Sequence, residues 1–171
     1  MQHETGEGRV RPQIAVIGPG DATDHEREVA GEVGRLLGRE GAVLLCGGRS
    51  GVMESACRGA FGEGGTTVGI LPDTGNGNPC LSLVIRTGLG NARNAVVVQS
   101  AEAVIAIGGA YGTLSEIALA LKAGREVFGL SSWKIVGVTA CGTPREAVIS
   151  ALSAARRSPW YRSRRDGGGC P

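Results

Sequence analysis

"AVIAIGGAYGTLSE", residues 103–116, carries the reading of the fold. An unbroken apolar run at 103–108 ends in paired glycines, and a helical pattern starts near residue 113. A strand with no polar alternation is buried on both faces, which is the situation of a parallel sheet covered by helices on each side. Working outward, runs of the same kind recur as "QIAVIG" at 13–18, "AVLLC" at 42–46, "TTVGIL" at 66–71, "LSLVIRT" at 81–87 and "EVFGL" at 126–130. Helical patterns fall between them at about 23–40, 51–63, 91–100, 113–123 and 144–157. The alternation predicts a single α/β domain built on a doubly wound parallel sheet.

Two boundaries are marked by helix-capping chemistry. "TDHE" (Thr23 to Glu26) and "TPRE" (Thr143 to Glu146) both fit the capping box, with Pro144 at the first helical position. "PDTGNGNPC", residues 72–80, reads as a loop after the third strand. The expected division is a flexible N-terminus at 1–11, the domain at 12–157 and an Arg/Gly-rich tail at 158–171, disordered from about Ser163 because it lacks an apolar period.

Composition narrows the function. With 171 residues, 42% of them hydrophobic, the chain can bury one ordinary core, and a formal net charge of +2 argues against wholesale nucleic-acid binding. "RRSPWYRSRR" sets five arginines beside Trp160 and Tyr161, a pattern that could stack on bases, but such tails are more often solvated ends. No apolar run approaches the roughly 20 residues of a membrane span, and the polar start has no signal-peptide core. The expectation is a cytoplasmic protein. Five dispersed cysteines (46, 57, 80, 141 and 170), without a C-x-x-C pair, read as reduced thiols, with Cys46 and Cys57 as small core residues. His3 and His25 have no neighbour at metal-ligand spacing, so no metal site is expected.

Three glycine loops follow strands: "GPGDAT" at 18–23, "CGGRSG" at 46–51 and "GGAYGT" at 108–113. In a parallel sheet all three emerge on one edge, where open α/β sheets bind ligands. Each leads into a helix N-terminus, whose free amides and partial positive charge favour phosphate. A dinucleotide fingerprint is not met, since Thr23 replaces its third glycine and no acid ends the second strand. No P-loop motif is present either, and the only lysines are Lys122 and Lys134.

Arg93 falls in the first turn of its helix, where a cation loses on the order of a few tenths of a kcal/mol against the macrodipole, so an anion is expected beside it. "TLSE" at 113–116 is formally another capping box, which leaves Glu116 either a cap or a carboxylate facing a ligand.

"CGGRSGVMESACRGAFGEGGTTVGILP" at 46–72, with "GGAYGTLSEIALAL" at 108–121, resembles the LOG family, often labelled "lysine decarboxylase", and within it the branch that includes molybdenum cofactor carrier proteins. The resemblance extends from about Pro12 to Leu152 and implies a Rossmann-like fold. LOG enzymes are cytokinin riboside 5′-monophosphate phosphoribohydrolases, which release free base and ribose 5-phosphate. On that resemblance Arg93 and Glu116 match the catalytic pair. Gly108, Gly109, Gly112 and Thr113 match the phosphate-binding signature, to which the loops add Gly18, Gly20, Gly47 and Gly48.

Departures stand at Ile107, where the signature has proline, at Ser115, where it has a second acid, and at "GNARN", where enzymes carry M-H-x-R-K. The resemblance therefore implies two functions: a nucleoside-monophosphate hydrolase with no required cofactor, or a non-catalytic carrier of molybdenum cofactor. In either case the partner is a small phosphate-bearing ligand, and the protein is expected to be a homodimer or larger. Decarboxylation is not expected, because neither lysine lies in a glycine loop where a Schiff base could form.

Overall fold

The computed structural model describes residues 10–166. Seven strands form one parallel sheet: β1 (Gln13–Ile17), β2 (Val43–Cys46), β3 (Thr66–Leu71), β4 (Leu83–Arg86), β5 (Ala103–Ile107), β6 (Glu126–Leu130) and β7 (Val138–Ala140). Their order is β4-β3-β2-β1-β5-β6-β7. Six helices connect or follow them: α1 (Asp24–Arg39), α2 (Val52–Gly62), α3 (Arg93–Gln99), α4 (Tyr111–Lys122), α5 (Pro144–Arg157) and α6 (Pro159–Asp166). The doubly wound α/β architecture expected from the apolar runs is the one observed.

Burial on both faces explains those runs. Ile14 and Val16 of β1, with Ile105 and Ile107 of β5, face the layer made by α1, α2 and α5. Ala15 and Ile17, with Val104 and Ala106, face the layer of α3 and α4. Every side chain of β5 is buried, so a polar residue at any position would face one core or the other. The edge strands differ. In β4 the side chains are mostly exposed, and three-residue β7 has two exposed positions, so it lacks the apolar run by which a strand is recognised, and the sequence pattern passes over it.

Thr23 forms the full reciprocal capping box with Glu26. Thr143 forms half of one: its hydroxyl accepts from Glu146 N at 3.2 Å, while the Glu146 carboxylate takes the Gly142 amide at 2.7 Å instead. The third formal box is absent. Helix α4 starts two residues earlier than Thr113, with Ala110 in extended conformation as N-cap, so Thr113 lies within the first turn, Glu116 lies beyond it, and the cap-only reading of Glu116 falls away.

The tail also departs from expectation as far as it is described. Residues 159–166 are helical, and α6 is tied to the start of the sheet. Tyr161 donates its hydroxyl hydrogen to the carbonyl of Val10 at 3.3 Å, Arg164 pairs with the buried carboxylate of Glu102, and Trp160 lies under the Arg125 guanidinium. These are polar and cation–π attachments, invisible to a search for an apolar stripe. Residues 1–9 and 167–171, including His3 and Cys170, lie outside the described residues. Among the described residues no helix is long and apolar enough to cross a membrane, and no cluster of three His, Cys, Asp or Glu could hold a metal ion.

Candidate functional site

The chain reverses its direction of travel across the sheet at β1, which pairs with β2 on one side and β5 on the other. The loops leaving β1 and β5 must therefore separate, and a crevice opens at the carboxyl ends of those strands. It is a cavity of about 290 Å³, walled by the β1 loop (Gly18 to Gly20), Met53 of α2, Asn91, Arg93 and Asn94 around the start of α3, and Ala110, Gly112, Thr113 and Glu116 at the start of α4. Of the expected site residues, Gly18, Gly20, Arg93, Gly112, Thr113 and Glu116 line this space together.

The remaining glycines lie close by but serve the walls. Gly47 sits directly against the Arg93 guanidinium, where any side chain would collide with it. Gly48 lines a neighbouring cavity of about 420 Å³, together with Arg49, Asp73 and Gly77. The Gly108 amide donates to the Leu130 carbonyl at 3.0 Å, so it is committed to the sheet. Gly109 lies beneath the indole of Trp133. The amides free to meet a ligand are those of the first turn of α4, at Tyr111, Gly112 and Thr113, which have no partner within the helix.

Two side chains set the electrostatics. Arg93 and Glu116, both buried, face one another across the crevice with 3.9 Å between Nη1 and Oε1. That distance is an ion pair without a hydrogen bond. Burial raises the Glu116 carboxyl to about 7, against the opposing pull of the guanidinium. Burial likewise draws the Arg93 pKa down, while Glu116 draws it up. Beside this pair, Asn94 donates to the Ser115 hydroxyl at 3.3 Å and Ser115 to the Gly112 carbonyl at 2.7 Å, which joins α3 to α4. Ser115 thus has a structural use at the position where the LOG signature carries a second acid.

Arg93 Nε and Thr113 Oγ1 are buried without any hydrogen-bond partner. A buried polar group left unpaired costs about 1–3 kcal/mol, and such groups normally have a partner. Both belong to residues that line the same cavity and can donate to an anion. With the free amides of α4 they form a set of donors, and the Glu116 carboxyl is the acid among them. Arg93 and Glu116 were legible in the sequence, whereas the approach of Gly47 to Arg93 was not. Nor was the meeting of Cys46 and Cys57, 11 residues apart in the chain, at 3.5 Å between sulfurs under this loop.

A seven-stranded parallel sheet whose switch point opens a donor-lined crevice defines a Rossmann-like α/β domain. The chain belongs to the SLOG cluster4 family, whose model matches residues 11–157. It is 42% identical over 144 residues to an uncharacterized protein of Archaeoglobus fulgidus, a match covering 83% of this chain and 95% of that one. Among solved structures it is similar to the molybdenum cofactor binding protein of Rippkaea orientalis, at 39% identity and a TM-score of 0.79, covering 84% of this chain and 96% of the other. It is also similar to the Moco carrier protein of Chlamydomonas reinhardtii, at 33% identity and a TM-score of 0.78, covering 84% and 97%.

Proposed function

We propose that this protein binds and carries a phosphate-bearing pterin of the molybdenum cofactor type, with the phosphate in the crevice between the β1 and β5 loops. The observation that carries the reading is the pair of buried, partnerless donor atoms, Arg93 Nε and Thr113 Oγ1, belonging to two residues that line one cavity. Similarity to two proteins described as binding or carrying that cofactor supports the choice of cargo. Arg93 supplies a fixed cation, the α4 amides supply directional donors, and Glu116 in its protonated form adds a neutral donor that does not repel the anion.

The test is direct. Wild-type protein and Arg93→Ala are incubated with cofactor released from a denatured molybdoenzyme and passed through a sizing column, and co-eluting molybdenum and pterin are measured. Retention by wild type and loss in the variant is the expected result. Failure of the wild type to retain either would overturn the reading.

A second reading rests on one observation: a carboxyl near neutrality beside the anion seat is suited to acid–base work. In a phosphoribohydrolase, Glu116 as carboxylate would take a proton from water as the water attacks the ribose anomeric carbon. The departing base would leave with the electrons of the N-glycosidic bond. Chromatography for free base after incubation with a panel of nucleoside monophosphates separates the two functions. Release of base that is abolished by Glu116→Gln assigns hydrolysis; binding without release assigns carriage.

A further inference from the structure

We propose that Tyr111 and Trp133 form a stacking platform at the rim of the crevice for the planar ring of a purine or pterin ligand. The inference rests on the anion seat proposed above and adds how the rest of the ligand is held. Tyr111 is the first residue of α4, between two residues that line the cavity, and is 84% exposed. Trp133, on the β6–β7 connection, stacks on it at 28° with ring centroids 6.5 Å apart. The indole is anchored from below, where its N–H donates to the Ala110 carbonyl at 3.4 Å and the ring covers Gly109. Ser131, two residues before Trp133, adopts a left-handed backbone (φ 48°), a conformation that costs a non-glycine residue energy.

A tyrosine this exposed, backed by a fixed tryptophan, presents a flat π-face to solvent beside the phosphate donors. The crevice, at about 290 Å³, is small for a whole nucleotide or pterin, since ligand pockets run from about 300 to 1,000 Å³. With the phosphate inside, the bicyclic ring extends to the rim. The neighbouring cavity offers no flat partner: it is lined by glycine backbone, the Arg49–Asp73 ion pair and only Leu71 and Pro79 as apolar side chains.

Ribose 5-phosphate, AMP and neopterin monophosphate separate the two parts of the site, because the first has a phosphate and no ring. Calorimetric titration of wild type, Tyr111→Ala and Tyr111→Phe is the experiment. Stacking one base on an aromatic side chain corresponds to about a 5- to 150-fold change in affinity. Tyr111→Ala is expected to lose that much for the ring-bearing probe that binds and to hold ribose 5-phosphate within about twofold, while Tyr111→Phe binds as wild type. In a Trp160→Phe background, where Trp133 is the sole tryptophan, ring-bearing probes should quench its fluorescence and ribose 5-phosphate should not. Equal affinity of Tyr111→Ala and wild type for the ring-bearing probes would overturn the platform while leaving the anion seat intact, as would a changed oligomeric mass with unchanged ring preference. Absence of binding of all three probes to wild type would overturn the anion seat and the platform with it.

Discussion

The space that a side chain on Gly47 would fill is occupied by the guanidinium of Arg93. A glycine from the β2 loop thus determines where a cation from α3 stands, although 46 positions separate them in the chain. Gly47→Ala should push the guanidinium out of the crevice and weaken sulfate or phosphate binding about 10- to 100-fold, the worth of a hydrogen bond to a charged group. Arg93→Ala should weaken it similarly. In a double-mutant cycle the glycine substitution should have no further effect on affinity once Arg93 is gone, because its effect acts through that side chain. Additive losses, measured by calorimetry, would show that Gly47 touches the anion itself.

Thr113→Val should separate stability from binding. The valine keeps the shape and removes a buried hydroxyl that has no partner, so the ligand-free protein should gain about 1 kcal/mol in denaturant unfolding. Anion affinity should fall at the same time. A variant that is destabilised and binds normally would mean that the hydroxyl serves the fold.

The pH dependence follows from Glu116. Its carboxyl is raised from an ordinary 4.5 to about 7 by burial, so the folded state holds a proton that the unfolded state releases between those values. The stability associated with that proton is fully present below about pH 4.5 and is lost as pH rises through about 7. Glu116→Gln should abolish that part of the pH profile. Sulfate, which stays a dianion throughout, should bind wild type more weakly by roughly tenfold at pH 8 than at pH 6, and bind Glu116→Gln with little change. Identical sulfate profiles for the two proteins would remove Glu116 from the anion seat.

At the other end of the sheet, the Glu102 side chain is 4% exposed, accepting from the Gln13 amide at 2.6 Å and pairing with Arg164 of α6. Arg164→Ala leaves that carboxylate short of a partner and should lower stability by about 1–3 kcal/mol, a figure that takes account of the partial exposure of the arginine. Glu102→Gln with Arg164→Ala should recover part of the loss, because a neutral amide is cheaper to leave buried. Thermal melts of the single and double variants check this. Ligand affinity should be unaffected, since the pair lies at the opposite edge from the crevice.

What the sequence by itself determined is local. The apolar runs of β1 and β5 are legible because each strand is buried on both faces, so no polar residue interrupts it. Thr23 and Glu26 mark the start of α1 because their capping bonds span three residues. Arg93 and Glu116 were recognisable because each sits near a helix start that leaves a glycine-rich segment. The tertiary structure decided what depends on strand order and on contacts between distant segments. It placed Arg93 against Gly47, brought Glu116 to 3.9 Å from that arginine, and left Thr113 Oγ1 without a partner. It also started α4 at Tyr111, where Ala110 has no side chain able to cap, and docked α6 through Glu102, a residue just before β5. Local patterns specify elements through bonds across three or four residues. A site assembled from β2, α3 and α4 depends on how the sheet is wound, and no period of hydrophobicity records which loop meets which.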